Sequence, residues 1–364
     1  MKLVPTKPTG PSGGGSLGGP SAATRADALE GQHPWVKLAS SSTIWVLVIL
    51  AALIAIFSIL QLHQFLTVFN FRTLAADSSV LMVMAVGQTY VLITAGIDLS
   101  VGSVLVFASI ISGKLMLSIS GSPASTYGAI RLSWGFIILG GVVAVIMGIA
   151  WGLFNGLLVA YTRVPAFIVT LGSFGVALGL AEIITGGTDV RGVPSSLVND
   201  VGNGSIFGFP ILLVIGVVVA VIAGVVLRKT IFGRWTFAIG ANAEAARRAG
   251  INVGRHTAAV YALSGALAGL AGFLSLAEFG TSALAGHSTD NLNTIAAAVI
   301  GGTSLFGGIG NILGTVVGVY IPAVLQDGFV IIGVTPFWQE VVVGLILIAA
   351  VYFDTAARKR RAGQ

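Results

Sequence analysis

The chain has 364 residues, 55% of them hydrophobic and 9% charged, with a net charge of +6 and no cysteine. Soluble domains carry about 25% charged residues, so this composition, with a mean hydropathy of +0.97, excludes a water-soluble globular fold. The missing cysteine excludes a disulfide framework and a thiolate metal centre, and the positive charges sit in connectors and tails beside apolar segments, a placement that fits a bilayer better than nucleic acid.

In chain order, residues 1–42 come first. They are rich in Gly, Pro and Ser between Pro5 and Pro20 and read as a disordered tail without a cleavable signal peptide. Ten apolar segments follow, at about 43–61, 79–95, 99–119, 134–160, 166–185, 206–227, 257–277, 293–306, 311–327 and 337–353. The pattern predicts an all-α polytopic membrane protein of about ten transmembrane helices, some short or broken, over 43–354, with a basic tail over 355–364. Gly makes up 50 of the 364 residues, roughly twice the usual share of about 7%, and in lipid such residues let helix backbones approach closely.

Lys and Arg set the orientation. The connector 228–256 holds Arg228, Lys229, Arg234, Arg247, Arg248 and Arg255, and the C-terminal tail holds Arg358, Lys359, Arg360 and Arg361. With ten spans, these and the N-terminal tail (Lys2, Lys7, Arg25, Lys37) fall on one side, the cytoplasm, with both termini there. The 185–210 and 278–292 loops are poor in positive charge and fall on the other side.

Three motifs carry chemistry. In the first, Thr94 to Gly102, Asp98 stands between two apolar runs with almost no polar buffer. Ionisable groups at membrane depth are costly and face a cavity or a partner. Gly96 and Gly102 permit a helix break there, and Asp98 and Ser100 are placed to cap the next helix. The break then offers hydrogen bonds to a solute, with Gln88 and Asn155 as further polar candidates along the path. Glu182 and Asp327 are read as inter-helix or interfacial groups, and Trp134, Trp151, Tyr161, Trp338 and Tyr352 as interfacial anchors.

The second motif, Ala241 to Asn252, reads as a short cationic helix stopped by Gly250. It is either a solvated, positive-inside connector or, by its compactness and Ala-rich face, a docking helix for a cytoplasmic partner through Asn242, Glu244, Arg247, Arg248 and Gly250. The third, Ala296 to Gly308, is Gly-rich but lacks the Gly-Lys-Ser/Thr ending of a phosphate loop, so any ATPase is a separate polypeptide. Its Gly302-Thr303-Ser304-Leu305-Phe306-Gly307-Gly308 weakly echoes Gly96 to Gly102, and Gly-interrupted segments in two halves point to a transport site. The histidines (His33, His63, His256, His287) are scattered, and no metal-ligand spacing or nucleophile–base arrangement is visible.

With Arg163 to Gly172 and Ser264 to Gly272, these motifs form five ordered matches over about residues 43–354. In this pattern the chain resembles the permeases of ribose-type sugar ABC importers, the group that also serves xylose, arabinose, galactose and inositol. The resemblance implies a permease that dimerises with itself or a similar chain, in a bacterial inner membrane. It implies cytoplasmic ATPase subunits, carrying ATP and Mg, docked on residues 241–252, and an extracytoplasmic solute-binding protein. The chain itself would bind no cofactor and catalyse nothing. One departure stands out: where family members commonly carry Glu-Leu-Asp, this chain has Asn291-Leu292-Asn293, which points to a different ligand preference. Sparse intramembrane charge fits a neutral polyol better than ion-coupled transport. Branched-chain amino-acid or nucleoside import, a secondary transporter and a non-transporting receptor are the alternatives.

Overall fold

The computed structural model describes residues 42–122 and 128–362; most of the predicted N-terminal tail lies outside them. Each predicted apolar segment contains a helix. These are α1 (Ser42–Leu60), α3 (Val68–Ile93), α4 (Val101–Ile119), α5 (Trp134–Tyr161), α6 (Ala166–Thr185), α7 (Ile211–Lys229), α10 (Val253–Phe279), α11 (Asp290–Ile300), α12 (Ile312–Ile331) and α13 (Pro336–Ala362). The single turn α2 (Leu62–Phe65) joins α1 to α3, and α8 (Ile231–Ala241) and α9 (Ala243–Arg248) fill the basic connector. The only strands among the described residues are two- or three-residue pieces in connectors, β1 (Gly128–Ile130) pairing parallel with β2 (Gly192–Pro194), and β3 (Ser205–Ile206) antiparallel with β4 (Phe209–Pro210).

Among the described residues, seven helices are long and apolar enough to cross a membrane: α3, α4, α5, α6, α7, α10 and α12. The apolar segment at 293–306 is not a spanning helix. Its helix, α11, has 11 residues, about 16 Å, against a hydrocarbon core of ~30 Å. The chain still passes from one end of the bundle to the other here. The segment before α11 is bridged to the 185–210 loop through Val190 and Ser282. The loop after it reaches the basic connector, where Arg228 donates to Asn311 Oδ1 at 2.7 Å. At the C-terminus, α13 continues as one helix to Ala362, so the predicted boundary at 354 is not a structural break.

The tightest pairing is α5 against α10. Gly148 and Gly152 on α5 meet Gly265 and Gly269 on α10 at four-residue spacing, and a Cβ at Gly148 would strike the Gly265 carbonyl. Lipid gives helices no hydrophobic reason to associate, so close backbone packing must supply the attraction. Around this pair, Val83 and Met84 of α3, Leu105 and Ile110 of α4, and Leu274 of α10 form the main buried cluster. Polar ends are capped locally: Thr67 Oγ1 accepts from the Asn70 N–H at 3.0 Å, and Asn311 Oδ1 from the Leu313 N–H at 3.2 Å. The outer faces of α6 and α7 expose Phe167, Leu171, Val176, Val221 and Ile222, an apolar outer surface suited to a bilayer. Trp151 is no interfacial anchor: it sits inside α5, donates to Ser173 Oγ at 2.6 Å and stacks near Phe107.

Candidate functional site at the α3–α4 break

Helix α3 stops at Ile93, and the chain turns through Thr94–Ser100 before α4 begins. The stop is a two-bond C-terminal cap, with the Ala95 N–H on the Leu92 carbonyl at 2.9 Å and the Gly96 N–H on the Val91 carbonyl at 3.0 Å. The left-handed position of this cap is Ala95, at φ +60°, not either glycine of the motif. The glycines serve packing instead. A Cβ on Gly96 would stand 2.7 Å from the Tyr261 hydroxyl, and one on Gly102 would stand 2.6 Å from the His287 carbonyl.

Asp98 is 2% exposed. Its Oδ1 accepts from the Ser100 N–H at 2.9 Å and the Ser100 hydroxyl at 2.6 Å, while Oδ2 accepts from the Ser264 hydroxyl at 3.4 Å. This is a side-chain turn onto the residue two ahead, so Asp98 does not cap the N–H groups of α4. Ser100 occupies the N-cap position without a side-chain cap bond. The sequence-based expectation of a cap is corrected: the carboxylate stabilises the turn entering the helix.

Four other helices hold the break. Asn155 of α5 donates to Ser100 Oγ at 2.8 Å, and Thr170 of α6 donates to the Ile97 carbonyl at 3.2 Å. Tyr261 of α10 donates to the same carbonyl at 3.3 Å, and Asn291 of α11 to the Leu99 carbonyl at 3.2 Å. The structure thus brings together Gly96, Asp98, Ser100, Asn155 and Asn291. It does not bring in Asn293, which donates back to Asp290 at 3.4 Å. Gln88 is fully buried, and neither of its amide atoms has a hydrogen-bond partner. It lies one turn before Leu92, which packs with Ile295, Ala298 and Val299. The Oδ1 of Asn155 is likewise buried without a partner.

Sequence reading missed Tyr261, Ser264 and Thr170, because a hydroxyl in an apolar helix has no local signature. It also missed His287, whose Nε2 lies 2.8 Å from Ser275 Oγ and whose Nδ1 lies 2.7 Å from Asp290 Oδ2. The order Ser–His–Asp matches a hydrolase relay, but Ser275 is buried within α10 and does not line the neighbouring cavity. The relay fixes the 284–290 segment in place.

The short cationic helix expected at 241–252 forms as α9. Asn242 Oδ1 accepts from the Ala245 N–H at 2.9 Å, and Glu244 pairs with Arg247 at 2.9 Å and Arg248 at 3.3 Å. Gly250, at φ +86°, closes the helix, with its N–H on the Arg247 carbonyl and the Ile251 N–H on the Ala246 carbonyl. The second helix of the connector, α8, was not expected; its start is set by Thr230, whose Oγ1 accepts from the Gly233 N–H at 3.4 Å.

Residues 70–351 match the family described as branched-chain amino acid transport system / permease component. The chain is similar to the D-allose transport system permease protein of Escherichia coli (strain K12), 35% identical with 85% of this chain and 91% of that protein covered. It is 35% identical to the ribose import permease protein of the same organism, covering 85% and 92%. It is 31% identical to the xylose transport system permease protein of Haemophilus influenzae, covering 86% and 96%. No solved structure matches significantly. Helices, broken segment and relatives agree over nearly the whole membrane region, and the chain belongs to the permease-component family of the branched-chain amino acid transport system type.

Proposed function

We propose that this chain is the membrane permease subunit of an ATP-driven importer for a monosaccharide. The observation that carries this reading is the similarity, across some 85% of the chain, to permeases named for allose and ribose, with those for xylose, fructose and galactose alongside. The site is consistent with it. The break presents carbonyls, hydroxyls and amides around one carboxylate, and every hydrogen-bond donor to Asp98 is neutral. A sugar needs such groups and no counter-charge, whereas ion-coupled carriers rely on membrane-depth charge.

In this reading Gly96, Asp98, Ser100, Asn155 and Asn291 form the inner end of the solute path. Gln88 and Asn293 shape the packing of α3 and α11 behind it. Asn242, Glu244, Arg247, Arg248 and Gly250 form the element on which cytoplasmic ATPase subunits dock, and those subunits hold ATP and Mg. A solute-binding protein delivers the sugar from outside to a pore completed by a second permease, identical or paralogous. The protein spans the bacterial cytoplasmic membrane with both termini inside. Support for this orientation comes from the contact of Arg228 with Asn311, which sets the 301–311 loop beside the basic connector, and from the Val190–Ser282 bridge, which joins the two loops poor in positive charge.

The test is uptake of radiolabelled D-allose, D-ribose and D-xylose by proteoliposomes holding this chain with its partner ATPase and binding protein. ATP-dependent uptake of one sugar, unaffected by an uncoupler, is the expected result. Uptake of leucine alone would replace the sugar by a branched-chain amino acid, and uncoupler-sensitive uptake without the ATPase would replace the importer by a secondary transporter.

A further inference from the structure

A cavity of about 150 Å³ lies beside the break, between α4, α6 and the segment before α11. Val106, Phe174, Leu178 and Leu284 give it a mainly apolar lining, with Ser103, Glu182 and Ser288 also among the residues around it. Small-molecule sites combine an apolar lining with a few fixed polar groups in this way.

The cavity continues the break rather than standing apart from it. On α6, Thr170, Phe174, Leu178 and Glu182 recur every four residues. Thr170 holds the Ile97 carbonyl, and the other three line the cavity. On α4, Gly102 and Ser103 line it directly after the break, and Ser103 Oγ donates to the Ser100 carbonyl at 2.9 Å. The third wall is held rigidly. His287 is fixed between Ser275 and Asp290, the Leu284 N–H donates to Asp189 Oδ1 at 3.1 Å, and Ser282 meets Ser109 at 2.5 Å. Gly102 lets this wall approach, since its missing Cβ leaves room for the His287 carbonyl. Glu182 is exposed on an otherwise apolar helix. It stands in the last turn of α6, which ends at Thr185, and lines the cavity.

We infer that this cavity is a resting position for a monosaccharide ring on its way to the break. Glu182 accepts hydrogen bonds from neighbouring hydroxyls, Ser103 and Ser288 bind others, and Phe174 lies against the C–H face of the ring. The inference rests on the sugar-importer reading and adds the site within it.

The lack of cysteine in the chain makes the test direct. Leu178→Cys within the cavity and Val221→Cys on the outer face of α7 are each assembled with the partner ATPase and binding protein. A charged methanethiosulfonate reagent attacks thiols only where water reaches them. Modification of Leu178→Cys but not Val221→Cys, with uptake blocked and the reaction slowed by the transported sugar, is the expected result. Phe174→Ala and Glu182→Gln should lower uptake by about tenfold or more, while loaded binding protein still stimulates the ATPase normally. An unreactive Leu178→Cys would overturn the inference by showing a lipid-filled or closed cavity. Reaction without protection by the sugar, or normal uptake in both cavity variants, would overturn it as well. If the wild-type complex carries none of D-allose, D-ribose and D-xylose, the sugar reading fails, and the thiol reaction alone still decides whether the cavity lies in the aqueous path.

Discussion

The Gly308 N–H donates to the Ile93 carbonyl at 2.9 Å, so the loop after α11 is tied to the last residue of α3, where the break begins. Gly240, in the last turn of α8, packs on the same carbonyl, and Gly307 packs on Ala95 and on the Gly240 carbonyl. Two residues after Gly240, Asn242 caps α9. The proposed docking helix is therefore joined to the break through backbone contacts in which a side chain would intrude. Rigid packed elements of this kind can transmit a displacement between two sites.

Gly240→Ala tests that connection. The added Cβ would press directly on the Ile93 carbonyl, and overpacking of a tight contact costs about 1–3 kcal/mol. Uptake should fall by about tenfold or more, with the ATPase still bound. Measuring uptake and ATP hydrolysis on the same purified complex checks it. Equal loss of both, or of neither, would show that the contact does not carry the coupling.

Glu244→Lys should separate docking from stability. Glu244 pairs with Arg247 and Arg248 on the surface of α9, with more than half of each side chain exposed, and such pairs contribute about 0–1 kcal/mol. The melting temperature of the detergent-solubilised permease should stay within a few degrees of wild type. Stimulation of ATP hydrolysis by loaded binding protein should be lost. Intact stimulation would remove α9 from the coupling route.

The helices and α9 were legible because apolar length and capping residues act locally: Asn242 and Gly250 define the ends of α9 wherever the rest of the chain lies. The half-length of α11 was less legible, since Ile295 to Phe306 is mostly apolar and only Gly301, Gly302, Thr303 and Ser304 interrupt it. The echo between the two Gly motifs has a spatial counterpart, because both segments are helix breaks and they touch at Gly307 and Ala95. Their registers differ: Val101 already begins α4 within the first motif, whereas α12 waits until Ile312. Within the site, Asp98, Ser100 and Asn155 stood out as polar residues in apolar surroundings. Tyr261, Ser264 and Thr170 did not, because what makes them partners of the break is the α5–α10 and α4–α6 packing, which brings together residues far apart in the chain. His287 looked isolated for the same reason, since Ser275 lies across a helix end from it.

Gly265→Leu should unseat the central helix pair. A Cβ there would strike the Gly148 carbonyl and approach Gly152, so α5 and α10 would have to separate along their length. Small-to-large changes at such contacts cost about 1–3 kcal/mol or more, and lipid offers no hydrophobic gain in return. The purified variant should melt several degrees below wild type or be lost from the membrane. A normal melting temperature and yield would mean that the glycine seam does not hold the bundle.

Asp98 provides the sharpest test of the break itself. Asp98→Ala removes the acceptor for the Ser100 N–H, the Ser100 hydroxyl and the Ser264 hydroxyl at once. Leaving buried donors without partners costs about 1–3 kcal/mol for each group, and the turn into α4 would lose its side-chain brace. Asp98→Asn keeps one acceptor oxygen and can preserve the bonds to Ser100 while removing the charge. If Asp98 acts chiefly by shaping the turn, the Asn variant should retain a substantial part of wild-type uptake while the Ala variant loses nearly all of it. If the charge itself meets the solute, both should fail alike. Asn155→Leu, which removes the donor to Ser100 Oγ, should follow the Ala variant in the first case, because it releases the same turn from the α5 side. Uptake at equal membrane expression, measured for the three variants together, separates these outcomes, and normal uptake in Asp98→Ala would take the break out of the solute path.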